Sequence, residues 1–210
     1  MLIKECNKSD ALERYAVVAV GSGAITAARK IFENDLIKEK FSLYECESIP
    51  LGCGGDVAVG RQKAEERLAN DKILCRLICK KVFVVSTLGG GTGTGGAPVI
   101  AKYLFDRGMI LTNIVTIPFK FEGPAKMKRC QNAINEISQY AVNTEVINND
   151  LCKQHFRGRL GEDYFSNVYS LIEKTILDSV SLSNAPKLQP KLPWYKRWFG
   201  FGKGHHLLRK

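Results

Sequence analysis

Leu88-Gly89-Gly90-Gly91-Thr92-Gly93-Thr94-Gly95-Gly96-Ala97-Pro98 is the stretch whose reading decides the fold. Five of the seven residues from Gly89 to Gly95 are glycine, the residue that loses most conformational freedom on folding. Such a density serves a backbone that must turn tightly and aim several N–H groups into one concavity. The run Lys81-Val82-Phe83-Val84-Val85-Ser86 precedes it and reads as a buried strand; helical spacing follows from Val99 to about Phe105. A glycine turn between a strand and a helix N-terminus is an anion site, and Thr92 and Thr94 add hydroxyl donors. Phosphate is the ligand that this chemistry predicts. The turn is not a Walker loop, because no Gly-Lys-Ser/Thr follows it. The bland alternative, a flexible linker, fits poorly between two apolar runs.

Outward from this loop, strands and helices alternate. Tyr15 to Val20 reads as a buried strand, Gly21-Ser22-Gly23-Ala24 as a small-residue turn, and Ile25 to Asn34 as a helix. Phe41 to Glu45 is a second strand, and Pro50 to Asp56 a glycine-rich loop. Val57 to Cys79 has the composition of one long helix. Ile110 to Ile117 is β-rich and closed by Pro118. Lys126 to Tyr140 is an amphipathic helix, Glu145 to Ile147 a short strand, and Tyr164 to Leu182 a long helix bearing Phe165, Val168, Tyr169, Ile172, Ile176, Leu177 and Val180. The pattern predicts a three-layer, doubly wound α/β domain with a mostly parallel sheet and a ligand at the carboxyl ends of its strands. The expected organisation is one α/β domain over 1–183, with phosphate as its expected ligand, and a linker with a basic aromatic tail over 184–210.

Composition narrows the function. With 210 residues, 45% of them hydrophobic and 25% charged, the chain has the makeup of a globular domain. It has no apolar run near the roughly 18 residues that suggest a membrane span, and its first residues lack the pattern of a secretory signal. The net charge is +10, and Lys187 to Lys210 holds seven Lys or Arg and no acid. The body is thus only mildly basic, which argues against nucleic acid as its partner. Seven cysteines occur without C-x-x-C spacing. They read as small buried hydrophobes in a reducing compartment, and Cys75 and Cys79 as neighbours on one helix face. No His lies near them to complete a metal site.

Gly-Gly-Gly-Thr-Gly-Thr-Gly over 89–95, followed by Gly96-Ala97-Pro98, resembles the glycine motif of the tubulin/FtsZ family. Other segments resemble that family in the same order: Val20 to Ala24 its first glycine loop, Leu51 to Gly60 its γ-phosphate loop, and Pro118 to Gly123 its ribose-contacting segment. Asn148-Asn149-Asp150 resembles the segment before its guanine-side region, and Ser166-Asn167-Val168 the start of its central helix. The resemblance covers about residues 15 to 182 and is closer to FtsZ than to eukaryotic tubulin. It implies GTP or GDP as ligand, with Mg as a candidate companion ion. Gly21, Ser22, Gly23, Ala24, Gly90, Gly91, Thr92, Gly93, Thr94 and Gly95 would surround the phosphates. Gly54 and Gly55 would sense the γ-phosphate, Glu122 would bind the ribose, Lys126 would lie beside the nucleotide, and Ser166 and Asn167 would face the base.

Several positions depart from the family. Ser22 and Ala24 replace glycines, Ile25 and Thr26 stand where polar Asn-type residues are found, and the chain between Glu45 and Pro50 is short. Ser166 replaces an Asp or Asn, and a hydroxyl is a poorer acceptor for guanine N1–H and its amino group than a carboxylate. The resemblance implies a truncated relative without the second domain or the acidic loop that activates water in the next subunit, so no catalytic residue is assigned within the chain. The implied partners are further copies, or a full-length FtsZ-type protein. A GTPase completed by such a partner and a scaffold without nucleotide are the alternatives. Trp194, Tyr195, Trp198 and Phe199 would share one face of a short tail helix, with Lys196 and Arg197 on the other. That pattern suits an anionic membrane surface, and places the protein in the cytoplasm at the inner face of the membrane. A protein partner, nucleic acid, or the body itself are other surfaces for the same tail.

Overall fold

The computed structural model describes residues 1–7, 15–47, 52–77, 79, 81–155 and 162–181. The chain runs β1 (Leu2–Asn7), β2 (Tyr15–Val20), α1 (Ser22–Ile31), α2 (Asp35–Lys40), β3 (Phe41–Glu47), α3 (Val57–Ala69), β4 (Lys81–Thr87), a π turn (Thr92–Gly96) into α4 (Ala97–Asp106), β5 (Ile110–Ile117), α5 (Pro124–Ile137), β6 (Asn143–Asn148), α6 (Asn149–His155) and α7 (Glu162–Ser181). The strands form one sheet in the order β1-β3-β2-β4-β5-β6. All neighbours are parallel except the edge pair β1 and β3. Helices cover both faces, so the inner strands are apolar on both sides: every residue of Val82–Ser86 and Ala16–Val20 is buried.

Two cores lie on opposite faces of the sheet. One gathers Val18, Val84, Leu111 and Val115 with Ile100 and Leu104 of α4 and Ile134 and Ile137 of α5. The other gathers Val17, Phe83, Val85 and Ile114 with Ala24 and Ala28 of α1 and Tyr164, Val168, Ile172 and Ile176 of α7. The last four repeat at four-residue spacing and form the buried stripe of α7. Its outer side carries exposed Ser166, Asn167, Ser170, Leu171, Lys174 and Asp178. At the upper end of α7 the Tyr164 hydroxyl donates to the Asn149 carbonyl (2.7 Å), and burial pushes its pKa up. At the lower end Lys81 Nζ donates to the Ser179 carbonyl (2.9 Å). The helix therefore spans the sheet from the carboxyl ends of the strands to their amino ends.

The doubly wound sheet read from the sequence is present, with local corrections. The helix expected over 57–79 stops at Ala69. The Asp71 carboxylate takes the N–H groups of Ile73 (2.9 Å), Leu74 (3.1 Å) and Cys75 (2.6 Å) and starts a separate 3₁₀ turn, Leu74–Arg76. Cys75 and Cys79 thus do not share a helix face. Strand β1 was not anticipated; its partner β3 is distant in sequence. Helix α2 also went unread, although Asn34 caps it by accepting the Leu36 N–H (3.0 Å). The six cysteines whose side chains are described are free thiols, and burial raises Cys79 and Cys130 to about 12. The tail expected over 184–210 lies outside the described residues.

Replacing Tyr164 with Phe leaves the Asn149 carbonyl without its donor at the junction of α6 and α7. We expect a loss of about 1 kcal/mol in urea unfolding, with an unchanged circular dichroism spectrum.

Candidate functional site

The chain passes from β2 to β3 on one side, then returns to β4 on the other side of β2. That reversal opens a crevice at the carboxyl ends of β2 and β4. It holds a cleft of about 250 Å³. It is lined by Gly23 and Ala27 of α1, by Thr87, Gly89 and Gly90 around the end of β4, by Thr116, Pro118, Glu122, Lys126 and Asn149, and by Phe165, Val168, Tyr169 and Ile172 of α7.

The glycines divide into two groups. A Cβ on Gly93 would sit 2.1 Å from the Thr87 carbonyl oxygen, and one on Gly95 2.1 Å from the Val57 carbonyl oxygen. A Cβ on Gly60 of α3 would lie 2.1 Å from the Gly91 carbonyl oxygen. These positions are backbone packed on backbone, and no side chain fits. Gly90, in contrast, is exposed, lines the cleft and has open space where a Cβ would stand. The glycines expected to turn the chain and present N–H groups therefore also serve close backbone packing. Gly91, Gly93 and Gly95 dock the loop onto β4 and α3, leaving Gly89 and Gly90 at the cleft wall. Thr94 is 1% exposed, and its hydroxyl accepts the Gly89 N–H (2.8 Å). Thr92 Oγ1 lies 3.3 Å from Cys53 Sγ.

Gly21 has φ 91° and donates to the Cys46 carbonyl (2.9 Å), turning the chain from β2 into α1. Ala24 is fully buried in the core, and Ser22 is exposed with its carbonyl accepting from Thr26 Oγ1 (3.0 Å). Gly54 and Gly55 form an exposed turn with φ 53° and 80°. Asp56, next to it, caps α3 by accepting the Ala58 N–H (2.8 Å), and its carbonyl lies against Gly91.

Glu122 and Lys126 face the cleft together. Glu122 Oε1 accepts the Phe119 N–H (2.9 Å), and Oε2 accepts from Lys126 Nζ (2.8 Å). Both side chains are about one-third exposed or less (27% and 33%), so the pair is screened by water and contributes little stability by itself. Beyond it, Phe121, Phe119, Tyr164, Phe165 and Tyr169 form an unbroken chain of ring contacts, with successive centroids 5.0, 5.6, 5.3 and 6.4 Å apart. Ser166 and Asn167 are not among the cleft-lining residues. Ser166 opens on a smaller neighbouring groove with Lys30, Tyr169, Ser170 and Glu173. Phe165, Tyr169, Thr87 and Thr116 were missed as site residues. The apolar stripe of α7 carried the signal for the first two, since Phe165 and Tyr169 flank Tyr164 and Val168 by one helical step. No group of three or more His, Cys, Asp or Glu able to hold a metal occurs among the described residues.

A family model for the tubulin/FtsZ GTPase domain matches residues 14–156, well over half of the chain. The chain belongs to the tubulin/FtsZ family. Among curated relatives, the cell division protein FtsZ of Aquifex aeolicus is 30% identical over 193 residues, covering 82% of this chain and 52% of the relative. The chain thus spans about half the length of that FtsZ. Solved structures agree in fold. CetZ2 from Haloferax volcanii, a GTPγS-bound protofilament, superposes with a TM-score of 0.69 at 19% identity over 83% of this chain and 60% of that one. An empty FtsZ dimer of M. jannaschii gives 0.65 at 22% identity over 86% and 58%. In this tubulin/FtsZ domain the cleft lies at the strand ends where the chain reverses, and the family-type glycine motif forms its wall.

The two groups of glycines should separate by mutation. Gly90→Ala should keep the fold and unfold within about 1 kcal/mol of the parent, while Gly93→Ala and Gly95→Ala should each cost about 3 kcal/mol or more in urea unfolding.

Proposed function

We propose that the cleft binds a guanine nucleotide, GTP or GDP, and that the protein is an FtsZ-like filament or regulatory element that works with copies of itself or with a full-length FtsZ-type protein. The observation that carries this reading is the cleft itself. It brings glycine backbone with an open Gly90 and the rings of Phe165 and Tyr169 into one cavity, groups suited to phosphates and a base. The glycine backbone offers N–H groups beside the N-terminus of α1. Phe165 and Tyr169 offer ring faces to a purine. The Glu122 carboxylate, on this reading, accepts sugar hydroxyls, sharing with them the oxygen now given to Lys126. With no carboxylate cluster among the described residues, any Mg²⁺ would be held mainly by phosphate oxygens and water, as is usual for that ion.

Hydrolysis belongs, on this reading, to the assembly and not to one copy. Glu122 is the sole carboxylate among the described cleft-lining residues, and both of its oxygens are engaged. A water-orienting acid has to come from a neighbouring subunit, as in a GTPase completed in trans. The tail over 184–210, whose sequence interleaves Trp194, Tyr195, Trp198 and Phe199 with Lys196 and Arg197, is the proposed tether to the cytoplasmic face of an anionic membrane. A single short amphipathic segment binds weakly, so filament formation would supply the avidity. No helix of the described residues is long and apolar enough to cross a membrane.

The decisive experiment denatures the purified protein, identifies released nucleotide by chromatography, and then titrates GTP, GDP and ATP. Guanine nucleotide should bind, and Gly90→Ala should weaken it. Phosphate release should be slow for the protein alone and faster when a full-length FtsZ is mixed in. Failure to take up any nucleotide at millimolar concentration overturns the proposal and leaves a scaffold that keeps only interaction surfaces.

A further inference from the structure

Large apolar side chains gather on the rim at the amino ends of β5 and β6, away from the cleft. Phe105, in the last turn of α4, is 49% exposed, Ile110, at the start of β5, 47%, and Val142, just before β6, 68%. They are joined and not scattered. The Phe105 ring packs on that of Tyr140 (centroids 5.9 Å apart). Val142, two residues on, donates its N–H to the carbonyl of Leu111, the residue after Ile110 (3.0 Å). Single exposed apolar residues are ordinary on a protein surface, but a connected group of them marks a contact.

The place where the chain leaves α7 selects the occupant. Lys81, at the start of β4, is the register partner of Ile110, and its Nζ holds the Ser179 carbonyl (2.9 Å). Ile110 alternates in step with Ile114, which packs in the same core as α7. Neighbouring strands lie about 4.8 Å apart, so the last turn of α7 is tied to a strand directly beside the rim. Beyond α7 the sequence carries Trp194, Tyr195, Trp198 and Phe199, with Trp194 13 residues past Ser181. A chain of that length spans roughly 20 Å on average and up to about 45 Å when extended. The rings can therefore reach the rim, at the millimolar effective concentration that a short tether provides. We propose that the rim formed by Phe105, Ile110, Tyr140 and Val142 is the docking surface for the aromatic segment 194–199 of the same chain. This docking depends on neither a nucleotide in the cleft nor a membrane; a membrane that takes the tail competes with the rim for the same rings.

Trp194 and Trp198 are the only tryptophans of the chain, so their fluorescence reports on the tail alone. The test uses the full chain without lipid or nucleotide. Acrylamide should quench the folded chain at least about twofold less than the chain unfolded in guanidinium, as a tail docked for most of the time requires. Phe105→Ser and Val142→Asp, singly and together, should bring quenching up toward the unfolded value. Their circular dichroism spectra should match the parent, because both side chains already face water. Leu171→Asp, on the outward side of α7, should quench as the parent does. Quenching of the folded parent equal to that of the unfolded chain overturns the proposal. So do rim variants that fold and still protect the tryptophans, and release of the tail by Leu171→Asp in place of the rim variants. Protection that is lost on dilution assigns the rim to the tail of a second copy and overturns docking within one chain.

Discussion

The whole arrangement depends on how closely one stretch of backbone can approach two others. The loop after β4 lies against the last carbonyl of its own strand and against the first turns of α3, at distances where even a methyl group would overlap a carbonyl oxygen. Close packing of this kind fixes the loop without side chains. It also determines which part of the loop is left facing the crevice. The Thr94 hydroxyl then ties Gly89 back to the turn, and Asp56 holds the N-terminus of α3 in place behind it. The cleft wall is thus the exposed side of a backbone joint.

Much of this was legible in the sequence, and the gaps have physical causes. The Val-rich runs at 15–20 and 81–86 could only be buried parallel strands, because they lack the alternation of a half-exposed sheet. The glycine loop announced a tight backbone turn between a strand and a helix, but the sequence could not divide its glycines between those packed on backbone and those lining the cleft. That division depends on α3, whose approach is a tertiary fact. The break at Asn70-Asp71 was hidden because Lys72 to Cys79 keeps an acceptable helical composition; one carboxylate capturing three N–H groups overrides weak propensity. Strand β1 is an edge strand whose ladder partner, β3, is distant in sequence. Ser166 and Asn167 were expected at the ligand through resemblance to the family, and they lie outside the residues that line the cleft. The buried stripe Tyr164, Val168, Ile172, Ile176 fixes the rotation of α7 and brings Phe165 and Tyr169 to the cleft.

Charge is distributed around the cleft with the same economy. Glu45, 4% exposed on β3, receives two bonds from the Arg29 guanidinium on α1 (2.6 and 2.7 Å). That pairing holds the helix whose first turn borders the cleft, and a buried carboxylate stripped of its arginine would be far more costly than the pair is stabilising. Lys126 reaches across to Glu122 with its stem alongside Gly89. A cation and an anion therefore sit together in the cleft wall, in the same cavity as the rings of Phe165 and Tyr169.

Helix α7 spends its apolar side on the core beneath it and turns Ser166, Asn167, Ser170, Lys174 and Asp178 outward, with Leu171 as the lone large apolar group among them. A body resting on that side would meet hydroxyls, an amide and charges already at ease in water. Such a seam is hydrated, gains little from being closed, and comes apart readily. In mechanical terms the helix is the outer wall of a finished house: a neighbour can lean on it, but the roof stays up when the neighbour leaves.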